Sequence, residues 1–249
     1  MPTRGPTSAG ELADSGTPRA ELWTCWLGRV EYREAYALQL RARAARQAGA
    51  IPDTLLLLEH PPVYTTTRRT GPVDLPRGEQ WYRDQGIDIV EADRGGRVTY
   101  HGPGQLTGYT IMETSDVVGF VRTLEQGLVA ALADEGLAAR SRPDDGPDYT
   151  GVWVEDRKIA SLGVRVQRGV TTHGFAVNVA NDLAPFDWVV ACGLPTVRMT
   201  SVARELGDAG MTCFRKRAAH RVAEAYGLRQ RIVTPARLER VLSPAVACS

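Results

Sequence analysis

RGGRVTYHGPGQLTGY, residues 94–109, follows the strand-like run Ile87–Val90 and holds five glycines, a proline, a histidine and two tyrosines. Gly95-Gly96 on one side and Gly102-Pro103-Gly104 on the other bracket the alternating Val98-Thr99-Tyr100. Glycine costs backbone entropy, and its usual return is a left-handed turn or a backbone that approaches a ligand closely. A turn, a short strand and a second turn are therefore expected here. Composition alone leaves two readings open: the wall of a binding pocket, or a glycine-rich hairpin that binds nothing.

Working outward, Glu21–Val30 reads as a first strand. Tyr32, Tyr36 and Leu40 recur at helical spacing in an Ala/Arg-rich segment that ends near Gly49. Thr54–His60 (TLLLLEH) reads as a buried strand, stopped by Pro61-Pro62 and resumed at Val63. Val117, Phe120, Val121, Leu124, Leu128 and Leu132 form an apolar stripe that predicts a helix over 116–134. After the loop at 142–148 come three strands, 151–155, 158–166 and 170–179, joined by tight turns as an antiparallel meander. Residues 188–192 continue as an apolar, strand-like run, and 199–207, 212–227 and 234–242 read as helices. Strands and helices in separate groups, without βαβ alternation, predict an α+β fold with a mixed, mostly antiparallel sheet flanked by helices.

Composition bounds the function. With 249 residues and 43% hydrophobic content the chain is long enough for one substantial core. Residues 1–20 read as a polar leader and 21–245 as a single domain. A net charge of +1 argues against a general nucleic-acid binder. No apolar run approaches the length that spans a bilayer, so a cytoplasmic protein is expected. Cys25, Cys192, Cys213 and Cys248 lie far apart with no C-x-x-C pair, which argues for thiols and against zinc or a disulfide frame.

Of thirty basic residues only Lys158 and Lys216 are lysines. Lysine, unlike arginine, gives up its proton when desolvated or crowded, so each invites a question. Lys216 lies in the basic run FRKRAAHR and reads as a surface charge. Lys158 lies between strand-like runs and is either an edge charge or a chemical group. Cys192, in DWVVACGLPT, falls where an apolar run gives way to Gly193 and Pro195, which suits exposure at the rim of a sheet. Cys25, between two tryptophans, reads as core. A cysteine nucleophile acts as the thiolate and needs a nearby base or cation. Residue types alone favour His173 for that part, since a Cys–His pair is the commoner arrangement. Lys158 is 34 residues from Cys192, and only the fold can join them. Segment 211–240 sets eight basic residues against two glutamates, and is either a docking face for an acidic partner or a solvated pair of helices.

RGGRVTYHGPGQLTGY, with KIASLGVRV, THGFAVNVANDL, ACG and LLLLEHPPVYT at 55–65, resembles the octanoyltransferases of lipoate biosynthesis. The similarity runs from about Leu22 to Leu206, with its blocks in the family's order. The resemblance implies the biotin/lipoate protein ligase fold. It also implies transfer of an octanoyl group from acyl carrier protein to a lysine of lipoyl domains, through a cysteine thioester and without a cofactor or metal. Acceptors would be the lipoyl domains of 2-oxoacid dehydrogenase complexes and the glycine cleavage H protein, and the enzyme a monomer. By motif, Cys192 corresponds to the nucleophile and Lys158 to the lysine that activates it. The acyl pocket corresponds to Arg94, Gly95, Gly96, Arg97, Val98, Thr99, Tyr100 and His101, with Ser161, Leu162, Gly163, Gly174, Phe175 and Ala176. His101 and His173 then become groups that shape the pocket, and Arg68, Arg69, Arg94 and Arg97 rival the basic segment for carrier contact. Two departures stand out: Ala191 where the family commonly has proline, and Thr66-Thr67 in place of a glycine-containing pair. The alternatives are an ATP-dependent lipoate or biotin ligase on the same fold, which needs no thiol, and a non-catalytic scaffold that binds carrier protein or lipoyl domains.

Overall fold

A computed structural model of the chain describes residues 20–243 apart from Pro195, and of Cys192 the backbone alone. The leader thus falls almost wholly outside the described residues, as does Cys248. In chain order the elements are β1 (Glu21–Arg29), α1 (Tyr32–Gln47), β2 (Asp53–Glu59), β3 (Val63–Thr66), α2 (Glu79–Asp84), β4 (Asp88–Glu91), β5 (Thr99–His101), β6 (Gln105–Ile111) and α3 (Val117–Ala133). There follow β7 (Ala139–Ser141), β8 (Gly151–Val154), β9 (Arg157–Gln167), β10 (Val170–Asn178), β11 (Arg198–Met199), α4 (Val202–Leu206), α5 (Met211–Ala225), β12 (Arg229–Ile232) and α6 (Pro235–Leu242).

The large sheet runs β12-β1-β2-β6-β10-β9-β8-β7, with β11 beside β9, and a small sheet runs β4-β3-β5. Helices cover both faces of the large sheet. Leu55 and Leu57 of β2 join Leu106, Phe175 and Val177 against α3 and α5, while Leu56 and Leu58 join Tyr109 and Ile111 against α1 and α6. Burying a leucine stabilises by about 1.5–3 kcal/mol, against ~0–1 for an exposed ion pair, so β2 outweighs the surface charges in fixing this arrangement. A third apolar cluster (Tyr64, Tyr82, Tyr100, Phe186, Val189) lies between the small sheet and the segment leading to Cys192.

The α+β class and the β8–β10 meander agree with expectation. Three local readings do not. β1 and β2 pair in parallel across α1, which is a βαβ unit, and β12 adds a second parallel pair. Residues 188–192 are not a strand: the chain makes two 3-10 turns, Ala184–Trp188 and Ala191–Gly193. Pro185 lacks a donor, and the Val190 N–H is spent on the Asp74 carbonyl at 3.1 Å rather than on a ladder. Residues 199–207 are not one helix. Met199 pairs with Lys158 in β11, and α4 begins only after Ser201, whose hydroxyl accepts from the Arg204 N–H at 3.2 Å.

Candidate active site

Residues 94–97 form a turn clamped from three sides. The Arg94 guanidinium donates to the Thr65 carbonyl and hydroxyl at 2.9 and 2.7 Å. The Thr67 hydroxyl donates to the Gly96 carbonyl at 2.9 Å, and the Gly95 N–H to the Val164 carbonyl at 3.3 Å. On β9, a β-carbon at Gly163 would stand 2.8 Å from the Gly95 oxygen, so the absence of a side chain there permits the close approach.

Below the turn is a narrow slot of about 50 Å³. Of the expected pocket residues it is lined by Arg94, Gly96, Arg97, Thr99, His101, Ser161, Leu162, Gly163, Gly174, Phe175 and Ala176. Gly95, Val98 and Tyr100 are not among them. Side chains alternate along β5, so Val98 and Tyr100 turn to the opposite face, where Tyr100 packs on Tyr64 and Phe186. Gly95 borders a separate groove. Three lining residues were not among those expected, Tyr32, Thr107 and Tyr109, while His173, expected to shape the pocket, lines it as well. Thr107 and Tyr109 share one face of β6 by the pleat of the strand; nothing local marks Tyr32.

Three buried histidines surround this region, each in one neutral form fixed by its neighbours. His60 donates from Nδ1 to the Val30 carbonyl and accepts from the Tyr109 hydroxyl at Nε2, both at 2.6 Å. His101 meets Gln105 Oε1 at 2.7 Å through Nδ1; the Gln105 amide donates to the Tyr100 carbonyl and Asn178 Oδ1, so the histidine must be the donor. His173 donates from Nε2 to Asp93 at 2.8 Å, stacks on Tyr36, and has a left-handed backbone (φ 60°) whose N–H donates to Gln39 at 2.7 Å. Burial drives all three toward neutrality: the His60 value falls to about 4, and those of His101 and His173 also drop. The His173 hydrogen bond in turn holds Asp93 down at about 2. His173 is thus committed to Asp93 and to the wall of the slot.

The larger groove, about 470 Å³, shares Gly96, Leu162 and Gly163 with the slot and has Lys158 in its lining. Lys158 is 1% exposed and its Nζ lies 5.2 Å from the centre of the Trp153 ring. Gly151 faces it: a β-carbon there would stand 2.5 Å from Lys158 Cε. Among the described residues Lys158 has no carboxylate within ion-pair distance. The segment carrying Cys192 touches one lining residue of each, Arg97 of the slot and Lys158 of the groove. Beside Cys192, Gly193 (φ 72°) abuts Arg97, and Arg97 in turn reaches the buried Asp74 at 3.4 Å. At the segment's other end Met199 is registered on Lys158, and the Thr200 N–H donates to the Lys158 carbonyl at 2.9 Å. The Cys192 side chain lies outside the described residues. Cys25 is fully buried, where burial raises its thiol to about 11, and Cys213 is exposed. Among the described residues no cluster of three or more His, Cys, Asp or Glu has the makings of a metal site, and no helix is long and apolar enough to cross a membrane.

A fold of this kind, with a glycine turn over a slot and a buried lysine beside it, defines a class. The model of the lipoyl protein ligase A/B catalytic domain matches residues 31–223, and the chain belongs to that family. Its relatives include the octanoyltransferases of Acidothermus cellulolyticus, 47% identical over 72% of this chain and 80% of that one. That of Corynebacterium jeikeium is 39% identical over 86% of this chain and 90% of its own. Among solved structures, a putative lipoate protein ligase from T. acidophilum superimposes with a TM-score of 0.70 at 18% identity, covering 89% of this chain and 92% of that one. A lipoate-protein ligase A bound with ATP gives 0.65 at 17% identity, covering 90% and 93%. These last two show the shared fold.

Proposed function

We propose that the chain is an octanoyltransferase that works through a thioester on Cys192. The octanoyl group arrives on the phosphopantetheine arm of acyl carrier protein and leaves on a lysine of a lipoyl domain, in the cytoplasm. The Cys192 thiolate attacks the thioester carbonyl, a carbon–sulfur bond forms, and the carrier thiol departs. Lys158 takes the cysteine proton and returns one to the carrier sulfur. Backbone N–H groups of a glycine turn steady the tetrahedral oxyanion, a contribution of ~3 kcal/mol per donor. The acceptor amine then attacks, the amide forms, and the cysteine thiol is restored with the amine's proton. The first exchange is nearly isoenergetic, and the amide drives the second; no nucleotide takes part.

One observation carries this reading: beside Cys192 the chain abuts the slot wall at Gly193–Arg97, and further on it pairs with Lys158 at Met199. The test is intact-protein mass spectrometry after incubation with octanoyl-carrier protein and no ATP. Wild type gains one octanoyl mass and Cys192→Ala gains none. Lys158→Arg keeps the charge but loses the transferable proton, and its acylation slows by about a hundredfold or more, the range of general acid–base contributions. An adduct on Cys192→Ala, or strict dependence on ATP, overturns the proposal in favour of a ligase.

A further inference from the structure

Asp74 is wholly buried, and the chain beside it holds its carboxylate still. Its N–H donates to the Gly71 carbonyl at 3.0 Å, and the Gly71 N–H donates back to Oδ2 at 2.8 Å. Arg97 reaches the same oxygen at 3.4 Å and has no other carboxylate within ion-pair distance among the described residues. Oδ1 is buried with no hydrogen-bond partner among the described residues. A buried carboxylate matched so sparely costs stability, and an apolar side chain of similar size would often pack better. Rules of stability broken in this way are expected where function asks for it.

Both ends of the turn that carries Cys192 lead back to this residue. The Asp74 carbonyl accepts from the N–H of Val190, which precedes the turn, at 3.1 Å. Directly after Cys192, Gly193 (φ 72°) is packed so closely that a β-carbon would stand 2.6 Å from Arg97 Cδ and 2.9 Å from Nε. Between these attachments the Gly193 N–H donates to the Val190 carbonyl at 3.2 Å, closing the turn Ala191–Gly193. We propose that Asp74 is a positioning residue for Cys192, holding the turn before the cysteine by its main chain and after it through Arg97. The inference rests on the reading of Cys192 as the nucleophile. A turn held at one point can swivel; held on both sides, it keeps one place. That matters for rate, because a displacement of about 1 Å can cost about a hundredfold. Asp74 is not part of the slot lining, so it acts on the nucleophile rather than on the bound chain.

The experiment measures single-turnover acylation by octanoyl-carrier protein, and hydrogen exchange by mass spectrometry, on wild type, Asp74→Asn, Arg97→Gln and the double variant. Asparagine keeps the main-chain carbonyl and the side-chain size while removing the charge that holds Arg97. Asp74→Asn should slow acylation at saturating donor by about tenfold or more, with little change in the donor concentration that half-saturates it. In the Arg97→Gln background the same change should cost less than about twofold further, since residues that act as one unit are not additive. Amides of residues 190–194 should exchange about tenfold faster in either single variant, while those of β2 and β6 stay protected. Acylation at the wild-type rate in Asp74→Asn, losses that multiply in the double variant, or unchanged exchange at 190–194 in Arg97→Gln overturns the positioning role and leaves octanoyl transfer intact. The last of these decides the matter even if Asp74→Asn fails to fold. A wild type that gains no octanoyl mass overturns the nucleophile reading and the inference together.

Discussion

Gly151 shows how one absent side chain positions the candidate catalytic amine. Its φ of 147° lies where residues with a β-carbon are strained, and that carbon would also collide with Lys158 Cε and the Ala160 carbonyl. Its N–H donates to Glu125 at 2.7 Å, a buried carboxylate that Arg122 also holds at 2.7 Å, so the backbone there has no slack. Gly151→Ala should therefore displace the lysine rather than the strand. We expect kcat for acyl-enzyme formation to fall by about tenfold or more, with a smaller change in KM, measured by rapid-quench mass spectrometry. Equal kcat in the variant would mean that the amine does not need its present place. Lys158 drew attention in the sequence because lysine is so scarce here. Gly151 did not, since its effect depends on a strand neighbour seven residues away.

At the scale of elements, α3 was the easiest to read: its apolar stripe gave nearly the observed Val117–Ala133. Asp116 caps it by accepting from the Gly119 N–H at 3.0 Å. Asp116→Ala should lower stability by about 1 kcal/mol, visible as a lower urea midpoint at constant slope; an unchanged midpoint would show the cap to be idle. β6 was missed for the opposite reason. All seven of its residues are buried, since it sits mid-sheet with helices on both faces, and so it carries no polar alternation. The Cys192 segment misled because valines next to a tryptophan suggest a strand, while Asp74, far off in the chain, claims the N–H the ladder would use. The motif block 94–101 was legible as a unit, but only the pleat of β5 divides it between the slot and the cluster behind it.

Across the whole molecule, charge is largely settled within the fold. The basic segment 211–240 is mostly engaged at home: Arg217 pairs with Glu135, Arg221 with Asp134 and Glu224, and Arg229 and Arg231 with Glu21. Arg215 and Arg237 lie over Trp26 and Trp23. Acid should act elsewhere, on the buried histidines. His60 titrates near 6.5 when unfolded and about 4 when folded. The unfolded chain thus binds the extra proton between those values, and stability falls as pH drops through that window. His60 alone accounts for on the order of 3 kcal/mol. Urea unfolding at pH 7, 5.5 and 4.5 should show the loss, and His60→Gln should flatten it in part. A wild-type midpoint constant from pH 7 to 4.5 would contradict these burials.

Slot and groove share three residues of their linings, Gly96, Leu162 and Gly163. A compound lodged on one side therefore leans on the same three residues that a fatty chain touches on the other. Guests on the two sides will sense each other through them, so a blocker designed for the roomy compartment should change the grip on the cramped one.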